Sequence, residues 1–214
     1  MNIQLALDRM NIAQAIDLTK KVEDSIDWIE VGTSLIKEFG TASIKEMKQA
    51  FPHKKIVADI KTIDNARYEF ELCFEAGADV ATVMGVSPLV TIDTCMEVAN
   101  RYQKKVMIDL LNTSDEQKQA LRKYNDAIFC EHVSKDQQEE LGSQNQGTTS
   151  TIDFSAFQVA AAGGIKLDSI ENLIESLNPA VVIIGSAITK AENPSEAAHQ
   201  FKQIILQTEE KMTC

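Results

Sequence analysis

Ile56-Val-Ala-Asp-Ile60, Ala66-Arg-Tyr-Glu-Phe-Glu-Leu-Cys-Phe-Glu-Ala76 and Val80-Ala-Thr-Val-Met84 follow one another along the chain with short joints between them. The outer two are short runs rich in Val, Ile and Ala, of strand length. The middle segment sets Tyr68, Leu72, Cys73 and Ala76 at helical spacing and closes at Gly77, a residue suited to the left-handed position just past a helix end. The unit reads strand, helix, strand. Its strands are mostly apolar throughout rather than alternating, as expected for parallel strands covered on both faces.

The same unit recurs on either side. Ile3–Leu7, Trp28–Val31, Val106–Leu110, Ala127–Cys130, Val159–Ala162 and Val181–Ile184 are further strand-like runs, spaced by about one strand–loop–helix unit. Asn11–Val22 places Ile12, Ala15 and Ile16 on one helical face, and Pro88, Asp168 and Pro194–Ser195 mark other helix starts. Strand–helix alternation leaves a closed eight-fold barrel or an open doubly wound sheet. Near-even units without Gly-x-Gly-x-x-Gly after the first strand favour the barrel. The expected fold is α/β, a single (β/α)8 TIM barrel over residues 1–214, at the short end of the usual size. One unit is odd. Its stretch Gly142–Thr151 is polar and poor in helix formers, so segment 142–156 reads as a mobile loop or an eroded crossover helix, with composition favouring the loop.

The composition excludes several function classes. The 214 residues carry 21 Lys+Arg against 32 Asp+Glu, a net charge of −11, and are 44% hydrophobic. That length supports a real core without a disulfide or metal staple. A chain this acidic, with no basic block, should repel nucleic acid and anionic lipid, so neither a nucleic acid nor a membrane is expected as partner. The four cysteines, Cys73, Cys95, Cys130 and Cys214, form no Cys-x-x-Cys pair. No apolar run nears the roughly 18 residues of a membrane span, and no basic stretch precedes an apolar one at the start. A cytoplasmic, reduced protein is expected.

In a parallel barrel the chemistry gathers at the C-terminal ends of the strands. Those ends hold Asp8, Glu30, Asp59 with Lys61, Asp109, Glu131 with His132, Gly163-Gly164 and Gly185-Ser186. Asp59 and Lys61 are two apart, so an extended backbone points them the same way, and Asp8 could share Lys61. Glu30 and Asp59, from neighbouring strands, could both reach one divalent ion, and oxygen-only ligation suits Mg²⁺. Only one of Glu131 and His132 can face the mouth, and a histidine there is placed to exchange protons near neutral pH. Of the other histidines, His53 lies in a polar turn and His199 in the last helix. Glycines after strands seven and eight let the backbone approach an anion, which points to a phosphorylated substrate.

These residues together resemble the orotidine-monophosphate-decarboxylase superfamily, whose Asp-x-Lys-x-x-Asp signature stands here as Asp59, Lys61 and Asp64. Within it the chain is most similar to the 3-hexulose-6-phosphate synthase family. The matching stretches are Gln4–Asp8, Ile29–Thr33, Ala58–Asp64, Glu75–Asp79, Ala162–Lys166 and Ile184–Thr189. The sister family, the 3-keto-L-gulonate-6-phosphate decarboxylases, typically has Glu, Arg, Thr and Arg where this chain has Asp109, Lys135, Ala162 and Ser186. Lys135 restores a cation at its position, whereas the other three look like the synthases. The synthases commonly read His-Thr-Gly where this chain has His132-Val133-Ser134.

The resemblance implies a Mg²⁺-dependent, reversible aldol addition of formaldehyde to D-ribulose 5-phosphate through an enediolate, the alternatives being the sister family's decarboxylation of 3-keto-L-gulonate 6-phosphate and a sugar-phosphate-binding barrel with weakened catalysis. It implies Glu30 and Asp59 as metal ligands and His132 in proton transfer. Lys61 would orient and stabilise, while Asp8 and Asp109 position hydroxyls. Gly163, Gly164, Gly185 and Ser186 would hold the phosphate. It further implies a homodimer in which Asp64 reaches the partner's site. A nucleotide decarboxylase would need another lysine paired with an acid upstream of Asp59, where the corresponding strand ends in Glu30.

Overall fold

The computed structural model describes residues 1–133, 154 and 156–213. Eight strands, β1 (Asn2–Leu7), β2 (Trp28–Val31), β3 (Lys55–Thr62), β4 (Val80–Met84), β5 (Lys105–Asp109), β6 (Ile128–His132), β7 (Gln158–Ala162) and β8 (Val181–Ile184), run in sequence order around a closed barrel. Every neighbouring pair is parallel, and β8 closes on β1 through Asn2↔Val181 to Leu5↔Ile184. The sequence reading located each strand to within two residues.

Helices cover the outside: α1 (Ile12–Val22), α2 (Thr33–Phe39), α3 (Thr41–Ala50), α4 (Ala66–Glu75), α5 (Leu89–Tyr102), α6 (Asp115–Leu121), α7 (Ile170–Leu177), the single turn α8 (Ser186–Thr189) and α9 (Pro194–Thr213). Local chemistry sets their ends. Asn11 and Gln14 form a reciprocal box at the start of α1, each side-chain oxygen accepting the other's backbone N–H at 2.9 Å, an arrangement that stabilises a helix by about 1 kcal/mol. Gly77 takes φ +105° just past α4, the left-handed role its position suggests. The helix foreseen from Asp168 instead begins at Ile170, after Ser169. The second crossover holds two helices where one would suffice, broken at Gly40 with φ +59°.

The alternation of each strand divides the core in two. Outward residues such as Ile3, Leu5, Ile29, Ile56, Val83, Ile108, Phe129 and Val182 pack under the helices. Inward residues Trp28, Val57, Val80, Met107, Ile128, Cys130, Ala160, Val181 and Ile183 fill the barrel itself, stacked in layers drawn from alternate strands. This interior is a packed floor, and the inward positions above it form the mouth.

The expected mobile segment at 142–156, together with Ser134 and Lys135, lies outside the described residues except at Phe154 and Ala156. Phe154 is buried, with its ring 4.6 Å from that of Phe129 and 5.7 Å from that of Phe157, centre to centre.

Candidate active site

The C-terminal mouth is built around β3. Its pairing with β4 slips between Ala58 and Thr62, and Lys61 sits in the left-handed region with φ +52°. That conformation costs a non-glycine residue on the order of 1 kcal/mol. The Lys61 N–H leaves the regular ladder and donates to Thr82 Oγ1 at 2.8 Å, while the Thr82 hydroxyl donates to Asp59 Oδ1 at 3.1 Å. The side chains of Asp59 and Lys61 do meet, as their spacing suggests. They meet through an irregular backbone, however, and not through simple strand alternation.

Lys61 Nζ lies 2.8 and 2.9 Å from the two oxygens of Asp59 and 3.2 Å from Asp109 Oδ2. Asp109 Oδ2 also contacts His132 Nδ1 at 2.8 Å, and Asp109 Oδ1 accepts from the Leu111 amide at 2.9 Å. Four side chains from three strands thus form one charged row, Asp59–Lys61–Asp109–His132. Burial works against the charges of Lys61 and Asp109, yet their neighbours hold both. Desolvation would lower the Lys61 ammonium, but Asp59 and Asp109 keep it above the ordinary lysine range. Desolvation would raise Asp109, but the hydrogen bond and charge of His132, with Lys61 and the Leu111 amide, hold its carboxyl below the usual carboxylate range.

Asp8 does not share Lys61. It is turned toward β2 and α2, where Ser34 donates to its Oδ1 through both its N–H, at 3.0 Å, and its hydroxyl, at 2.7 Å. Asp109 occupies the place beside Lys61 that the sequence reading offered to Asp8. The reason is the close approach of the chain at Gly32, where a Cβ would lie 2.4 Å from the Leu7 carbonyl oxygen and 2.5 Å from Asp8 Cγ.

Glu30 and Asp59 face inward from adjacent strands. Burial, and then the charge of Asp59, push the Glu30 carboxyl up to about 8. Two buried carboxylates in mutual repulsion are a donor set that a hard dication relieves. Among the described residues no group of three or more His, Cys, Asp or Glu side chains forms a complete metal cage, so a Mg²⁺ here would take its other ligands from water or substrate. Asp59 also accepts from the Thr33 hydroxyl at 2.6 Å.

Glu131 points outward, 3.7 Å from Lys118 on α6, leaving the mouth to His132. Gly163 and Gly164 follow β7 with φ +101° and +66°. The pairing Ala162↔Ile183 brings them beside Gly185, which opens α8. Gly163, Gly164, Gly185 and Ser186 thus follow neighbouring strands at the same end of the barrel, and the first N–H groups of the turn after Gly185 have no partner within it. Asp64 is exposed, beyond the charged row of its own chain.

A family model described as orotidine 5′-phosphate decarboxylase / HUMPS family matches residues 1–201. The chain belongs to this family. Among members of the family, the 3-hexulose-6-phosphate synthase of Bacillus subtilis (strain 168) is 40% identical over 212 residues, covering 97% of this chain and 100% of that protein. A crystal structure of 3-hexulose-6-phosphate synthase from Salmonella typhimurium superposes with a TM-score of 0.85 at 33% identity, covering 97% and 100% of the two chains. A 3-keto-L-gulonate-6-phosphate decarboxylase structure from Vibrio cholerae, 26% identical, reaches 0.83 over 97% and 98%. The family backbone therefore carries both chemistries, and side chains must separate them.

Sequence reasoning missed Gln4, Thr33 and Thr82, each of which hydrogen-bonds a site carboxylate. Gln4 and Thr82 are single polar residues inside otherwise apolar strand runs, a signal that was present but has no direction until the register is known.

Proposed function

We propose that this chain catalyses the reversible aldol addition of formaldehyde to D-ribulose 5-phosphate, giving D-arabino-hex-3-ulose 6-phosphate. The observation that carries this reading is the full-length 40% identity to a 3-hexulose-6-phosphate synthase, joined to a charged row suited to moving a proton at the barrel mouth.

The reaction needs a proton removed from C1 of the pentulose, negative charge held on the C2 oxygen, attack of C1 on formaldehyde carbon, and protonation of the new alkoxide. His132 would carry the proton on Nε2, because Nδ1 is engaged by Asp109. Lys61, fixed between two carboxylates, would hold the developing charge on the substrate oxygens. Asp8 and Asp109 would orient hydroxyls, and the glycine rim after β7 and β8 would hold the phosphate. Glu30 and Asp59 would hold Mg²⁺, which when bound supplies a Lewis acid for the carbonyl oxygen.

Asp109 and Ser186, where the sister decarboxylases typically have Glu and Arg, favour the aldol reading over decarboxylation. A second copy of the chain is the proposed partner: Ile63 and Tyr68, which flank Asp64 in the chain, and Val86 and Val90, which follow β4, are 57%, 60%, 41% and 69% exposed, apolar surface that a homodimer would cover. A cytoplasmic setting is proposed too, supported by three free, buried cysteines among the described residues and by the absence there of any helix long and apolar enough to cross a membrane.

The test measures formaldehyde consumption with ribulose 5-phosphate, with and without Mg²⁺, beside CO₂ release from 3-keto-L-gulonate 6-phosphate. Metal-dependent formaldehyde loss is expected. CO₂ release alone would overturn the aldol reading.

A further inference from the structure

Gln4 is fully buried inside the barrel. Its layer is otherwise apolar: Val57, Met107 and Ala160 occupy the corresponding inward positions of the other odd-numbered strands. Packing alone calls for Leu or Met there, since an amide withdrawn from water is costly unless its groups are paired. Gln4 is only half paired. Its Nε2 donates to Glu30 Oε2 at 2.5 Å, whereas its Oε1 has no hydrogen-bond partner among the described residues. An unpaired buried acceptor destabilises a fold, so the amide at this position works against stability. Among the described residues, what offsets this is the hydrogen bond to Glu30.

We infer that Gln4 is a positioning residue whose side-chain amide holds the Glu30 carboxylate so that its other oxygen is presented to a divalent cation. The geometry supports this in two ways. Gln4 approaches Glu30 from within the barrel, because β1 pairs with β2 through Gln4↔Trp28 and Ala6↔Glu30, so the amide lies one layer deeper than the carboxylate. Its hydrogen bond also occupies Oε2 alone and fixes rotation about the last side-chain bond, a freedom that a lone glutamate would have to lose on binding a metal. The inference rests on the reading of Glu30 and Asp59 as metal ligands.

The experiment titrates Mn²⁺ alone, as a paramagnetic stand-in for Mg²⁺, into wild-type protein and into Gln4→Met, Gln4→Leu and Glu30→Gln variants, following free Mn²⁺ by electron paramagnetic resonance. Gln4→Met is expected to weaken Mn²⁺ binding by about 10–100-fold while leaving the melting temperature equal or higher. Turnover of that variant should recover at saturating Mg²⁺ with an unchanged KM for ribulose 5-phosphate, a split that a merely structural residue would not produce. If Glu30→Gln binds Mn²⁺ like wild type, the metal-site reading itself fails. If Glu30→Gln loses Mn²⁺ while both Gln4 variants keep it, the positioning role is overturned. Should neither Gln4 variant fold, the side-chain amide signal of Gln4 in ¹⁵N-glutamine-labelled wild-type protein decides. It should shift on adding Mg²⁺, and an unmoved signal overturns the inference.

Discussion

Nδ1 of His132 lies 2.8 Å from Oδ2 of Asp109, the same oxygen that faces Lys61 Nζ at 3.2 Å. One carboxylate oxygen therefore sets the orientation of the His132 ring, the proposed proton carrier, and also anchors the Lys61 cation. Asp109→Asn keeps the shape and removes the charge. It is expected to lower kcat by at least about 10²-fold, within the range attributed to general acid–base groups, and to move the acid limb of the pH–rate profile. Wild-type kcat in formaldehyde-consumption assays would remove Asp109 from the mechanism.

Glu30 offers a test without substrate. In the metal-free chain its carboxyl is pushed from the ordinary 4.5 up to about 8, so the folded state binds this proton more tightly than the unfolded chain. Its stabilising contribution is fully present below the unfolded value and is lost as pH rises through the folded one. Chelator-treated protein should melt at progressively lower temperature between about pH 5 and about pH 8. Glu30→Gln should flatten that slope, and Mg²⁺ should restore stability at the upper end. A level wild-type profile would contradict the assignment.

Gly32 is required by close approach and not by its backbone angles. A Cβ there would meet the Leu7 carbonyl oxygen at 2.4 Å and the Asp8 carboxyl carbon at 2.5 Å. Gly32→Ala should destabilise the chain by about 1–3 kcal/mol, as overpacking does, and displace Asp8 from Ser34. Urea midpoints together with kcat/KM measure both effects. A variant matching wild type in each would show that the β1 and β2 ends yield freely.

Asp79 provides a pH test at the opposite end of the barrel. It accepts from Lys104 at 2.6 Å, Lys48 at 2.8 Å and the Ile56 amide at 3.0 Å. Burial would raise its carboxyl, but these donors hold it below the ordinary 3.8. Its contribution is therefore present above the unfolded value and is lost as pH falls through the folded one. Asp79→Asn should lower the melting temperature at neutral pH, and the difference from wild type should shrink below about pH 4. A difference that stays constant with pH would exclude the charge as its source.

Most of the barrel could be read from the sequence because parallel strands covered on both faces are written as mostly apolar runs, unbroken in Val181–Ile184 and interrupted only at Thr82 in Val80–Met84. The charged mouth could be read for a related reason: Asp59, Asp109 and His132 stand where such runs stop. Two kinds of information were out of reach. The partner of Asp8 depends on how closely β1 and β2 approach at Gly32, a distance that spacing along the chain does not encode. The inward direction of Gln4 and Thr82 depends on register, and a one-residue slip would turn either of them toward the helices. The left-handed turn at Lys61 was hidden as well, since lysine carries no mark of it.

The pairing of β8 with β1, Asn2 with Val181 and Leu5 with Ile184, has a consequence for synthesis. A nascent chain emerging from the ribosome displays β1 as a bare edge until nearly all of the remaining sequence has been translated, and neither Glu30 nor Gln4 can be sealed from water before then. Exposed edges recruit other strands, and contacts between residues so distant in sequence form slowly. The stage most prone to aggregation is the seven-stranded half-open sheet, so a chaperone that shields β1 during translation should raise the yield of folded protein more than one added after release.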